Sequence, residues 1–325
     1  MDPISDLLRS LRLTGGIFLA ARFTAPWSVS SRIEPQDAAG FIANADHVIG
    51  YHMVTEGHLL MQLPDGPPMT ISAGEVVIFP HGDLHVLASD IRLAPKAVRT
   101  GGLIQQLPQG GLARVDHGGG GTVTRLYCGF LGSDTPPNPL LAALPRVLKV
   151  ETKALAQHDW IEASVRFAAD GLAQGRLPAS EVVTRLSETL LIEAVRRYLS
   201  DQPQNITGWL SGVRDPQIGR ALALIHADVT QPHDVEHLAA AAAMSRSAFV
   251  ARFGDLVGLP PMRYVALRRL EAARARLAST DDAIAVVADD LGYGSEEAFS
   301  RAFRREYAMP PGRWRVQHRP QASAA

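Results

Sequence analysis

The chain of 325 residues has a single cysteine, which excludes an internal disulfide framework. No apolar run approaches the roughly 20 residues a membrane-spanning helix needs, so no membrane partner is expected. The N-terminus, Met1-Asp-Pro-Ile-Ser-Asp, lacks the basic stretch of a secretory signal. The compartment these features imply is the cytoplasm. Net charge is lacking too: 32 basic residues nearly balance 33 acidic ones, leaving −1. A surface for a polyanion must then come from local clustering rather than from the whole-chain sum. Lysine is absent beyond Lys153, so every later fixed positive charge is an arginine, whose planar fork suits bidentate contacts to phosphate or guanine. A phosphate loop is also missing. Gly118-Gly-Gly-Gly121 is followed by neither the lysine nor the helix of a Walker motif, and reads as a flexible bend.

What the chain does hold is a repeat. Phe249, Phe253, Pro260-Pro261, Arg263 and Tyr264 return fifty residues later as Phe299, Phe303, Pro310-Pro311, Arg313 and Trp314. Small-residue helices precede each copy, around Val235–Ala243 and Ile284–Leu291, at an offset of 49, so the second turn carries one extra residue. Helix, tight turn, and helix with aromatics at i and i+4 make a two-helix unit whose second helix enters the major groove of DNA. Ser245 and Ser295 stand where N-caps belong, and the proline pairs are expected to stop the reading helices. A duplicated helical hairpin with no nucleic-acid role is the other reading. Solenoid repeats, however, usually come in threes or more and at shorter periods. Local charge also favours DNA. Arg301, Arg304, Arg305, Arg313, Arg315 and Arg319 face only Glu306 within nineteen residues.

Residues 215–316 resemble the DNA-binding domain of the AraC/XylS family of transcriptional regulators. The resemblance is carried by Met244-Ser-Arg-Ser-Ala-Phe249, Val257-Gly-Leu-Pro-Pro-Met-Arg-Tyr264, Leu291-Gly-Tyr-Gly-Ser295 and Phe299-Ser-Arg-Ala-Phe303-Arg-Arg. Ala243 and Ala308 stand where that family usually has glycine, which implies strained or reshaped turns. By the same resemblance Ser247, Val250 and Ala251 fall where the family touches base edges. Being small or apolar, they suit a thymine methyl, or else simply pack. Arg246 and Arg252 are placed for phosphate or guanine. In the second unit the exposed set is Glu296, Glu297, Ser300, Arg301 and Arg304. The glutamates complement a helix dipole or accept from cytosine N4. Arg301 is the first candidate for base recognition, and Arg304, Arg305 and Arg313 are candidates for phosphate. The implied partners are double-stranded DNA and, by family resemblance, RNA polymerase.

From Thr14 to about Val150 short alternating runs punctuated by Gly, Pro, Asp and Asn read as strands of a barrel or sandwich. Gly74-Glu-Val-Val-Ile-Phe-Pro80-His-Gly82-Asp-Leu-His85 fits the second signature of the cupin barrel. His52-Met-Val-Thr-Glu56 fits the first in part, with Gly50 in place of a histidine. The segment 1–205 thus resembles the cupin-type sensor domain of one AraC branch. Helical candidates Pro139–Leu148, Asp159–Leu172 and Glu181–Leu199 lie in a segment 138–200, covering the barrel or offering a homodimer contact. Residues 206–214 read as an interdomain linker and 317–325 as a disordered tail. The fold class is therefore multi-domain α+β, with an N-terminal cupin-like β-barrel and flanking helices. A C-terminal all-α domain with two helix-turn-helix units follows.

Five of the eleven histidines fall between His47 and His85. His52, Glu56, His85 and Cys128 form a candidate metal set for a divalent ion such as zinc. Trp27, Tyr51, His52 and His85 are candidates to line a pocket for an unknown small-molecule effector, and Cys128 alone also reads as a small buried hydrophobe. The expected function is a transcription regulator, not an enzyme. The alternatives are a metal-dependent cupin enzyme with an appended helical domain, and a DNA binder whose barrel only dimerises.

Overall fold

The computed structural model describes residues 13–34, 47–98, 112–133, 139–152, 167, 181–201 and 208–318. Its contacts divide it into two compact units, one carrying the strands and the chain to residue 202, the other formed chiefly by the chain from 203 onward.

The first unit holds β1 (Thr14–Thr24), β2 (Ser28–Ser31), β3 (His47–Glu56), β4 (His58–Gln62), β5 (Met69–Ser72), β6 (Glu75–Phe79), β7 (His85–Ala88), β8 (Lys96–Ala97), β9 (Ala113–Gly118), β10 (Val123–Ser133) and β11 (Leu148–Glu151). Six of them form one sheet in the order β11-β6-β3-β10-β1-β9, and five form another in the order β5-β4-β7-β2-β8. Pairing is antiparallel except for β1 with β9 and β2 with β8. One core joins the sheets: Val77, Phe79, Leu126 and Cys128 come from the first, Val29, Leu59, Met61, Ile71 and Leu87 from the second. Helix α1 (Pro139–Ala143) is shorter than the periodicity predicts. Pro145 interrupts the run, and Leu148, expected to end that helix, instead opens β11 against β6.

Helix α2 (Glu181–Asp201) packs on β1, β10 and β11. Its Thr184 hydroxyl donates to the Gly15 carbonyl at 2.6 Å. Tyr51 of β3 also reaches this helix, and β3, flanked by β6 and β10, is buried almost along its length. The amphipathic run Asp159–Leu172 lies outside the described residues, residue 167 excepted.

The second unit is helical: α3 (Trp209–Arg214), α4 (Ile218–Ala227), α5 (Val235–Ala241), α6 (Arg246–Val257), α7 (Pro261–Ser279), α8 (Ile284–Asp290), α9 (Glu296–Tyr307) and α10 (Pro311–His318). Two expectations change here. Within the expected linker 206–214, Trp209–Arg214 is helix, and Leu210 and Val213 are buried. The composition of that stretch is polar, but its apolar residues find the core of the helical unit. The proline pairs, secondly, do not end the reading helices. Gly258 and Ala308, both left-handed, end them, while Pro261 and Pro311 are the first residues of α7 and α10. A missing N–H costs nothing at that position, and proline's fixed φ suits it. Residues 317 and 318 close α10, and the rest of the expected tail lies outside the described residues.

Candidate nucleic-acid interface and sensor core

Both reading helices are seated in the same way. Ser245 Oγ accepts from the Ala248 amide at 3.4 Å, and Ser295 Oγ from the Ala298 amide at 3.1 Å, so each serine satisfies one free N–H of the helix it opens. Phe249, Phe253, Phe299 and Phe303 are fully buried, with ring pairs at 5.5 and 5.6 Å. Burying one ridge of α6 turns Arg246, Ser247, Val250, Ala251 and Arg252 outward; in α9 it turns out Glu296, Glu297, Arg301, Arg304 and Arg305, with Ser300 half-buried. Ser245, Arg246, Ser247, Val250 and Ala251 line an open concavity of about 780 Å³. Arg313 is exposed on α10.

Charge separates the two helices. Arg246 pairs with Glu236 at 3.2 Å. Arg252 clasps Asp215, a buried carboxylate that also accepts from the Gln217 and Ile218 amides at the start of α4. Arg252 therefore has a structural post, which corrects the expectation that it is free for phosphate. Arg301, Arg304, Arg305 and Arg313 make no ion pair or hydrogen bond among the described residues. Glu306, the acid expected to face them, is drawn off by Arg263 at 2.7 Å. Arg315 donates to the Asp282 carbonyl and so leaves the free cluster. Glu297 sits in the first turn, where its own amide and the Ser295 hydroxyl hold its carboxyl below the usual range.

In the strand unit His52, His85 and Cys128 do meet. Cys128 lies directly across from His52 in the β3–β10 register, and His52 Nδ1 is 2.9 Å from its Sγ. His52 Nε2 is 2.7 Å from His85 Nε2, and His85 Nδ1 is 2.8 Å from the Asp83 carbonyl. The carbonyl can only accept, so His85 donates from Nδ1 and accepts at Nε2. His52 then donates from Nε2 and accepts the Cys128 thiol at Nδ1. Burial, helped by the neighbouring ring, drives His52 well below its ordinary pKa. Burial also takes His85 to about 4 and raises the Cys128 thiol. The result is a neutral, directed chain, with Phe79 stacked on His85 at 3.7 Å.

Two expected members stand elsewhere. Glu56 is half-exposed at the end of β3 and pairs with Arg125 across the ladder, not with the histidines. Tyr51 points to the opposite face from His52, because neighbouring side chains on a strand alternate. Its hydroxyl meets Ser187 of α2 at 2.8 Å, and its ring lies where a side chain on Gly129 would have stood. Trp27 shares the inner core with Cys128 and stacks on Phe23 at 4.1 Å. Among the described residues no three His, Cys, Asp or Glu side chains converge as a metal site. The two facing Nε2 atoms are fewer donors than the three or four zinc takes, and Glu56 is not brought to them.

Asp215 and Ser187 have no motif signal of their own. Asp215 is separated by 37 residues from Arg252 and Ser187 by 136 from Tyr51. Only an i, i+2, i+3 reading of Asp215 as the cap of α4 could have flagged it.

Comparison with known proteins gives consistent matches. A family model described as Cupin matches residues 2–200, and one described as Helix-turn-helix domain matches residues 238–317. A putative AraC-like transcription regulator of Streptomyces antibioticus is 28% identical over 321 residues, covering 98% of this chain and 100% of its own. The HTH-type transcriptional regulator AlkR of Acinetobacter baylyi is 28% identical over 328 residues, covering 98% and 100%. The HTH-type transcriptional regulator MtrA of Neisseria gonorrhoeae is 29% identical over 323 residues, covering 98% and 99%.

Proposed function

Since this chain belongs to the AraC family of DNA-binding transcription regulators and carries a cupin domain, we propose that its two heads divide the work on one operator. Head one, with α6, reads apolar base features. Head two, with α9, supplies phosphate affinity and the main base contact. The two would engage successive major-groove segments on one face of the duplex, about one helical turn apart. The carrying observation is the contrast in charge. In α6 Arg252 is tied to the buried Asp215 and Arg246 faces Glu236 in an exposed pair, while Arg301, Arg304, Arg305 and Arg313 make no ion pair among the described residues. Ser247, Val250 and Ala251 then present a small apolar surface suited to a thymine methyl. Glu296 keeps its alternatives, a cytosine N4 or the helix dipole, whereas the capping contacts of Glu297 favour the dipole.

The cupin domain acts as a sensor and not as an enzyme centre. Two sheets over one core support a β-barrel, and we assign its interior, near His52, His85 and Trp27, to a small organic effector. A divalent cation such as zinc has weaker support, from two nitrogens alone; metal analysis of the purified chain tests it. Tyr51 is better assigned to the link with α2 than to the pocket. Helix α2 also offers the surface for a homodimer. As a transcription regulator the protein would act through RNA polymerase, in the cytoplasm; no helix among the described residues is long and apolar enough to cross a membrane.

Selection from a pool of randomised duplexes with the purified full chain tests the reading. An asymmetric, two-part sequence should emerge. Arg301→Ala should keep the fold and lose about tenfold to a hundredfold in discrimination between that sequence and random DNA. No enriched sequence, or undiminished discrimination, would count against it.

A further inference from the structure

We propose that Arg269 is the positioning residue that sets the spacing and phase of the two reading heads, and hence the number of base pairs between the two parts of the operator. This rests on the reading that both heads touch DNA.

Helix α7 is shared by the two heads. Tyr264 and Val265, near its start, belong to the core of head one, while Leu270, Ala273 and Leu277 belong to the core of head two. The change of allegiance falls between residues 265 and 270. A lone helix crossing such a boundary fixes the distance along its axis, about 1.5 Å per residue. It does little to stop the two cores from twisting about that axis. Lateral ties are needed, and Arg269 sits on the boundary.

Its guanidinium bridges both sides. Nε donates to the Val229 carbonyl at 3.1 Å and Nη2 to the Gln231 carbonyl at 2.8 Å, in the segment between α4 and α5 of head one. On the other side the group lies against the turn of head two. A Cβ built on Gly292 would be 3.1 Å from Cζ, Nη1 and Nη2 alike. Three equal distances place the guanidinium face against the turn, so close that a side chain at Gly292 would push it back by a few tenths of an ångström. Val229 completes the seam by packing its side chain on the core of head two. Another lateral tie, Arg263 with Glu306, joins two partly exposed side chains, and such pairs are weak and screened by salt. Arg269 differs in reach: one planar group holds two carbonyls of head one and lies against the turn of head two, which fixes its direction from both sides.

DNA offers a direct gauge of this geometry. One inserted base pair moves the second segment by about 3.4 Å and rotates it by roughly a tenth of a turn. A stiff pair of heads must reject that change, and a loosened pair tolerates it. The experiment uses the full chain and the duplex it selects from a randomised pool, together with derivatives carrying one or two base pairs more or fewer between the two parts. In wild type each change of spacing should weaken binding sharply. In Arg269→Met, which keeps the stem and removes the donors, the penalty for a changed spacing should shrink by about tenfold, within the usual range of coupling between sites. The slope of affinity against salt should stay as in wild type, because Arg269 is assigned no phosphate. Where Arg269→Met lowers the folded fraction, Arg269→Lys carries the test, with a smaller loss of the same kind. An unchanged spacing penalty in the folded variants would overturn the proposal. So would a salt slope reduced by about one ion, since that marks a phosphate contact. If wild type selects no two-part sequence at all, it is the DNA reading that fails, not the clamp alone.

Discussion

The two reading heads share a skeleton and differ in almost everything polar. In head one the buried ring groups around Tyr264 are paired, although the buried His233 Nδ1 has no partner among the described residues. Trp209 Nε1 donates to the Tyr264 hydroxyl at 2.8 Å, and that hydroxyl in turn meets His226 Nε2 at 2.6 Å. In head two Trp314 takes the place of Tyr264, and neither its Nε1 nor the Tyr293 hydroxyl has a partner among the described residues. Arg274 lies over the Tyr307 and Trp314 rings, 5.6 and 5.7 Å from their centroids, and supplies part of what is missing. On the surface the contrast reverses, with tied arginines in head one and free ones in head two. A duplicated fold thus reuses its aromatic packing, while hydrogen bonds and charges are set locally. Head two combines unpartnered buried groups at Trp314 and Tyr293 with the arginines proposed to hold DNA.

The largest effect expected from this difference is on unfolding. Phe303 touches the Phe299, Tyr307 and Trp314 rings, and Phe253 touches Phe249 and Tyr264. Truncating either to alanine should cost about 3–5 kcal/mol. Trp209 and Trp314 report on separate heads, so fluorescence of variants retaining one or the other resolves them. Phe303→Ala should move the Trp314 transition to lower denaturant and leave the Trp209 transition behind. Coincident shifts would show that the heads unfold as one and erase the contrast in their interiors.

Binding gives the next largest. Arg304→Ala should weaken every duplex alike and reduce the salt slope by about 0.9. Arg252→Ala should leave the slope alone and lower stability, because Asp215 stays buried without its partner. Equal losses of slope from both variants would mean that the heads share phosphate duty.

Part of this contrast is written in local sequence and part is not. The aromatic pairs at i and i+4 and the serine caps follow from spacings of three or four residues, so they could be read directly. Helix ends were harder. A pair such as Pro260-Pro261 or Pro310-Pro311 can mark the stop of one helix or the start of the next, and the left-handed Gly258 and Ala308 show that here it marks the start. Partners across long separations left no trace: Arg252 with Asp215, Arg269 with Val229, Tyr51 with Ser187. In the strand unit β2 and β8 are four and two residues long, too short for a period of two to declare itself. Residue type groups Tyr51 with His52, but strand alternation sends them to opposite faces.

Acid should divide the heads as well. The Tyr264 hydroxyl accepts from Trp209, so its own proton goes to His226, which must be neutral to receive it. Burial, with the Arg268 charge adding to it, holds His226 well below its ordinary pKa of 6.5. Below pH 6.5 the unfolded chain therefore binds a proton that the folded one does not. Stability falls with pH from there toward the folded pKa, at up to about 1.4 kcal/mol per pH unit. Thermal unfolding at pH 7.5 and 5.5 should move the Trp209 transition, and His226→Gln should remove most of the shift. An equal acid shift in wild type and variant would place the sensitivity elsewhere.

The smallest effect comes from a crossed exchange between the heads. After the reading helix, head one has Gly258 at φ 81 and head two has Ala308 at φ 56. In the turn before it, head one has Ala243 at φ 54 and head two has Gly292 at φ 74. All four positions are left-handed, where an L side chain costs about 1–2 kcal/mol, and glycine's extra freedom when unfolded returns part of that. Ala308→Gly and Ala243→Gly should each gain about 0.5–1 kcal/mol in denaturant unfolding, and Gly258→Ala, with open space around it, should lose a similar amount. Gly292→Ala should lose more than Gly258→Ala, because its methyl meets the Arg269 guanidinium besides straining the backbone. If the two glycine variants lose the same amount, the guanidinium yields freely, and the turn of head two is no more crowded than its counterpart.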